Sequence, residues 1–201
     1  MTRLIVLIMG ALATIIFALV ILIILPKTML SKIEPPAQLK KLTENELLGR
    51  EIYVQNGCIY CHTQQVRDVN FTPDVLKGLG NRPSVPADYY YDKPHLLGTM
   101  RTGPDLFNVG GRLPDRNWHL LHLYQPRALV PWSIMPSFPF LFESKPNAEP
   151  QDKILQVPKA YSANGKVVVV TKEADALVDY LLSLNHDYPA TVNDAAKDAT
   201  P

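Results

Sequence analysis

From Leu4 to Leu25 the chain reads LIVLIMGALATIIFALVILIIL, with no charge and with Thr14 as its one polar side chain. Sixteen of these 22 residues are Leu, Ile, Val or Phe. At about 1.5 Å of rise per residue the run makes a helix of about 33 Å, enough to cross a hydrocarbon core of about 30 Å. A cleaved leader would carry about 7–15 apolar residues and a small-x-small cleavage site. Pro26-Lys27-Thr28-Met29 offers no such site. The pattern predicts an uncleaved single transmembrane anchor over residues 1–27. Arg3 favours an inside N-terminus, whereas Lys27, Lys32, Lys40 and Lys41 pull the other way, so charge alone does not orient the span.

Beyond the anchor the periodicity is weaker. Residues 28–42 read as a linker. Thr43, followed three residues later by Glu46, is a capping-box signature, and it predicts a helix over 45–55 that stops at Asn56-Gly57. Residues 63–100 carry several Pro and Gly and three consecutive tyrosines with no clean period, which predicts a long loop insertion. A helical pattern returns over Asp115 to Tyr124 and is ended by Pro126. Two strand-like runs, from Lys153 and from Lys166 to Thr171, flank Asn164-Gly165, a β-hairpin signal. Glu173 to Leu184 is the last helix, with Ala176, Leu177, Tyr180, Leu181 and Leu184 on one face. Residues 187–201 read as a disordered tail. The expected organisation is mostly α, with a folded domain over 43–186.

Composition narrows the function. Lys and Arg total 20 against 19 Asp and Glu, a net charge of +1, which argues against a nucleic-acid binder. Eighteen prolines in 201 residues predict a loop-rich domain, which a large apolar cofactor could staple. The two cysteines are three positions apart in Cys58-Ile59-Tyr60-Cys61-His62, the C-x-x-C-H pattern of c-type haem attachment. Each thiol adds to one vinyl group of the haem, and the short turn between them aims His62 at the iron. A zinc site would need a second ligand pair, and a thioredoxin-like C-x-x-C would follow a strand in a βαβ unit; neither is present in the sequence. Haem c is attached outside the bacterial cytoplasmic membrane, which places the domain on the periplasmic side.

The other iron face has Met100, Met135 and four further histidines as candidates. Gly103, Pro104 and Leu106 form a G-P-x-L segment expected to pack on the His62 side, with the Pro104 carbonyl holding the imidazole N–H. Met100 adjoins that segment and is tied to the same side. Met135, in a Pro-flanked loop well past the motif, is favoured as sixth ligand, with His119 and His122 as the alternatives. Arg101 and Arg112 are candidate partners for the haem propionates.

Gly49-Arg50-Glu51-Ile52-Tyr53, Gly57-Cys58, His62-Thr63-Gln64-Gln65-Val66-Arg67, Arg101 to Leu106, Val109 to Arg112, Trp118-His119, His122 to Tyr124, Pro126-Arg127 and Met135-Pro136-Ser137 together resemble the mono-haem subunit (subunit II) of cbb3-type cytochrome c oxidases. The resemblance implies a class I cytochrome c domain whose first and last helices cross beside one covalent haem. It implies Cys58, Cys61, His62 and Met135 as the haem-binding set. It also implies an electron-transfer subunit, not itself the oxygen-reducing enzyme. Such a subunit takes electrons from another cytochrome c, subunit III or a soluble one, and passes them to the haem-copper catalytic subunit in the inner membrane. The anchored cytochrome c subunit of nitric oxide reductase is the alternative, since it shares one anchor and one C-x-x-C-H.

Overall fold

The structure, a computed structural model, describes residues 2–162 and 165–189, which divide into two compact units. Within the first unit, residues 2–37 begin with α1, Thr2–Leu30, the one described helix long and apolar enough to cross a membrane. None of the residues over Thr2–Leu19 is buried in the chain. The helix continues past Pro26, beyond the expected end of the anchor at residue 27. Proline lacks the N–H that would bond the carbonyl four residues back, and its ring crowds that carbonyl. The ladder accommodates it by widening into a π turn over Val20–Ile24, with the Leu25 N–H bonded to the Val20 carbonyl. Residues 85–91 of the same unit hold a short 3-10 turn, Pro86–Tyr89, in which the Asp88 carboxylate accepts the Val85 N–H at 2.8 Å.

The second unit, residues 38–84 and 92–189, is built on two helices. The first, α2 (Glu44–Gln55), starts as its local sequence dictates. The Thr43 hydroxyl accepts the Glu46 N–H, and the Glu46 carboxylate accepts the Thr43 N–H at 2.6 Å. The last helix of the unit, Lys172–Ser183, is capped by Thr171, whose hydroxyl accepts the Ala174 N–H at 3.2 Å. It buries Ala174, Ala176, Leu177, Val178, Tyr180 and Leu181. These two helices meet at backbone distance. A Cβ placed on Gly49 would lie 1.9 Å from the Ala176 carbonyl oxygen, so only glycine permits the crossing. One turn along, Tyr53 meets Tyr180 edge to face with ring centroids 5.5 Å apart.

Between them in sequence lie α3 (Val109–Arg112) and α4 (Arg116–Tyr124), which makes Lys172–Ser183 α5. The Asp115 side chain caps α4 by accepting the Asn117 N–H, and the helix stops before Pro126. Its Leu120 and Leu123 join Ile52, Tyr53, Val109, Leu177 and Tyr180 in one core.

The expected hairpin before the last helix is present, as part of a three-stranded sheet. The strands β1 (Phe142–Lys145), β2 (Ile154–Leu155) and β3 (Val167–Val170) are antiparallel, in the order β1-β3-β2. Leu155 opposes Val168, as a hairpin requires, and eleven residues connect the two strands. Asn164 lies outside the described residues. On the other side of β3, Phe142 opposes Val170. A central strand is covered from both edges, which suits the unbroken valine run. Of the expected tail, Asp187 and Tyr188 are held: Asn108 bonds the Asp187 carboxylate and, just before the tail, the His186 N–H, and Arg82 bonds the Tyr188 carbonyl. The remainder of that tail, 190–201, lies outside the described residues.

Candidate functional site: a cleft between His62 and Met135

The C-x-x-C-H segment leaves α2 through Gly57 and forms a single 3-10 turn, Cys58–Tyr60. The Cys61 and His62 N–H groups both bond the Cys58 carbonyl, at 3.1 and 3.0 Å, so both sulfurs and the imidazole spring from one compact turn. Neither cysteine is in a disulfide. Cys58 is half-buried against the core, and burial pushes its thiol up to about 11; Cys61 is exposed.

His62 is fixed by its neighbours. Its Nδ1–H donates to the Pro104 carbonyl at 2.7 Å, which settles the tautomer and leaves the Nε2 lone pair for a metal. Burial lowers its pKa and keeps the ring neutral, against the opposing influence of that bond and of Asp105. Gly103 lies flat under the ring: a Cβ there would be 2.2 Å from the imidazole Cε1. The Gly103 N–H bonds the Cys61 carbonyl at 2.9 Å, and the Leu106 N–H bonds the Thr63 carbonyl at 2.8 Å, so the two segments are bridged on either side of His62.

Beneath this wall sits Asp105, a fully buried carboxylate that the motif reading passed over as the variable position of G-P-x-L. It accepts the Thr63 hydroxyl at 2.5 Å and the Gln65 and Phe107 N–H groups at 2.8 Å. Arg101, a candidate for a propionate, is engaged by protein groups here. It bonds the Thr63 hydroxyl, the Gln65 carbonyl and the Asp74 carboxylate, and pairs with Asp105 at 3.6 Å. Burial pushes the Asp74 carboxyl up, but the bonds from Arg101 and the Arg67 N–H outweigh it and bring it down to about 2. Arg112 is placed differently. One of its terminal nitrogens donates to the Asp105 carbonyl at 2.9 Å, while its Nε is buried without a partner.

Opposite His62 the chain comes back as the loop 130–137. Two connected cavities, about 420 and about 100 Å³, open between the walls, and His62, Pro104, Leu113, Trp118, His122 and Met135 line both. Cys61 and Gly103 line the larger one, and Leu106 and Arg112 the smaller. Met135 is half-buried and packs on the core. Its N–H donates to the Ser133 hydroxyl at 3.2 Å. Met100 is exposed and lines neither cavity. Two histidines are already engaged: His119 donates from Nε2 to the Leu113 carbonyl, and His186 donates from Nδ1 to the Phe107 carbonyl. His122 is different again, and sequence spacing did not separate it from His119. It stacks on Trp118 at 4.6 Å, its Nδ1 is buried without a partner, and burial, His119 and His62 push its pKa down to about 4.

The cleft suits a flat apolar macrocycle with anionic edges. It is a largely apolar slot of ligand size, with a neutral imidazole on one wall and a thioether on the other. It also holds an unpartnered buried guanidinium nitrogen at its inner end. The family model described as the mono-haem subunit of cytochrome c oxidase, FixO, matches residues 1–167. The chain belongs to that family. A mono-haem oxidase subunit implies one haem and a partner within an oxidase complex. The match is to oxidase subunits, so the nitric oxide reductase alternative loses its footing. In this mono-haem subunit, α5 lies beyond the matched residues. No curated protein matches the chain.

Proposed function

We propose that this mono-haem subunit relays electrons through one haem c, from a donor cytochrome c to the oxygen-reducing haem-copper subunit of a cbb3-type oxidase. The donor is a subunit III or a soluble cytochrome c. The observation that carries this reading is the pairing across one cleft of His62, locked by Pro104, with Met135. When bound, the haem supplies a one-electron iron couple. Cys58 and Cys61 hold it by thioether bonds. His62 presents Nε2 as a neutral ligand, and Met135 presents a sulfur that favours the ferrous state over what a second imidazole would give. Two protein ligands leave no open iron position, so the chain transfers electrons and reduces no oxygen itself. Arg112 Nε offers a donor to a propionate. The α2–α5 crossing and the wall at Gly103-Pro104 support a class I cytochrome c arrangement. Haem c attachment puts the domain on the periplasmic face of the bacterial inner membrane, with α1 spanning the bilayer.

The test is to purify the tagged full chain from native membranes. The expected preparation contains the catalytic oxidase subunit and one haem that stays on the chain after denaturation. A lone chain with no oxidase activity associated, or with haem lost on denaturation, would contradict the proposal.

A further inference from the structure

The cleft holds one polar group that neither the fold nor the proposed ligand set uses. His122 lies on α4, one turn past Trp118, and the two rings are nearly parallel, 11° apart. Its Nδ1 is buried, and among the described residues no hydrogen bond reaches the ring. His119 on the same helix finds a carbonyl, so the shortfall is particular to His122. A buried polar group left without a partner costs on the order of 1–3 kcal/mol. Such a group beside a cofactor cleft points to a partner that the cleft itself supplies.

The surroundings narrow what that partner is. Leu113, Trp118, Val130, Met135 and Pro136 make the wall around His122 apolar, a poor place for a carboxylate. The Nε of Arg112, at the inner cavity, is the better donor for one. A neutral imidazole carries one N–H and one lone pair. Of the residues that line both cavities with His122, the Pro104 carbonyl is taken by His62 and His62 itself is the expected iron ligand, which leaves Met135, whose thioether sulfur is a weak but polarisable acceptor.

We propose that His122 is a positioning residue for Met135: its imidazole N–H hydrogen-bonds the thioether sulfur in the haem-loaded protein. The bond keeps the sulfur turned to the cleft and draws electron density from it, which favours the reduced iron. The stack on Trp118 fixes the plane of the ring. This inference rests on the reading of Met135 as ligand.

The experiment uses the haem-loaded full chain. His122→Phe keeps a ring against Trp118 and removes both nitrogens. It is expected to retain haem, to shift the midpoint potential downward by the equivalent of a several-fold change in the oxidised-to-reduced ratio, and to weaken the thioether-to-ferric charge-transfer band. His122→Tyr restores a donor and should return both readouts toward the parent. A His122→Phe protein with the parent potential and band would overturn the proposal. So would a parent protein lacking the thioether band whose bis-imidazole spectrum is lost in His122→Phe, because His122 would then be the ligand. Met135→Ala separates the two failures, since it abolishes the band only where Met135 ligates. Should His122→Phe fail to load haem, proton exchange in the isotope-labelled ferrous parent decides. A slowly exchanging imidazole N–H on His122 supports the bond, and exchange as fast as in an exposed histidine overturns it.

Discussion

The two walls of the cleft are built on different principles. On the His62 side the imidazole is bonded to Pro104, underlain by Gly103 and backed by a carboxylate that gathers three hydrogen bonds and an arginine. On the Met135 side the nearby fixings among the described residues include the Ser133 bond to the Met135 N–H, the Ser133 N–H on the Val130 carbonyl, the Ser137 bond to Gln125 and the Phe138 N–H on the Leu123 carbonyl. Trp132 and Ile134, flanking Met135, are 82% and 72% exposed. The imidazole wall is therefore tied down by many more contacts within the protein than the loop that carries Met135.

That contrast can be broken most severely at Asp105. Asp105→Ala leaves the Thr63 hydroxyl, two backbone N–H groups and part of the Arg101 charge buried without their acceptor. The expected destabilisation is about 3–5 kcal/mol, measured by denaturant unfolding of the loaded protein. Gly103→Ala comes next. A methyl where the imidazole already sits forces the ring or the Pro104 segment aside, which should cost about 1–3 kcal/mol and lower the yield of loaded protein. A cost no larger than that of an exposed surface substitution would mean the imidazole wall is not preformed. A smaller effect is expected from acid. The Asp74 carboxyl is held at about 2 when folded, against about 3.9 unfolded. Its contribution is therefore complete above about pH 4 and is lost as pH falls toward 2. Asp74→Asn should flatten that part of the stability profile and leave the Met135 side unchanged.

What the sequence disclosed and what it hid divide along the same physical line. The capping box at Thr43 and Glu46, the Cys58-to-His62 turn and the Pro126 stop are set by residues within a few positions of one another, and each was legible. The close approach of Gly49 to Ala176 needed a partner 127 positions away, and a glycine inside a helix does not announce one. The pairing of Arg101 with Asp74, 27 positions away, was hidden for the same reason. Strand β1 carries no period of its own, since Phe142–Lys145 is extended by pairing with β3 far along the chain. In α1, the anchor was bounded at residue 27, and the π turn that carries the helix past Pro26 to Leu30 leaves no mark in composition.

The central claim is that the iron lies between the His62 nitrogen and the Met135 sulfur. The most direct measurement is a redox titration of loaded Met135→Ala, read together with carbon monoxide binding to the ferrous form. The account predicts a marked fall in midpoint potential and prompt binding of carbon monoxide that the parent protein lacks. An unchanged potential and a ferrous iron still closed to carbon monoxide would contradict it.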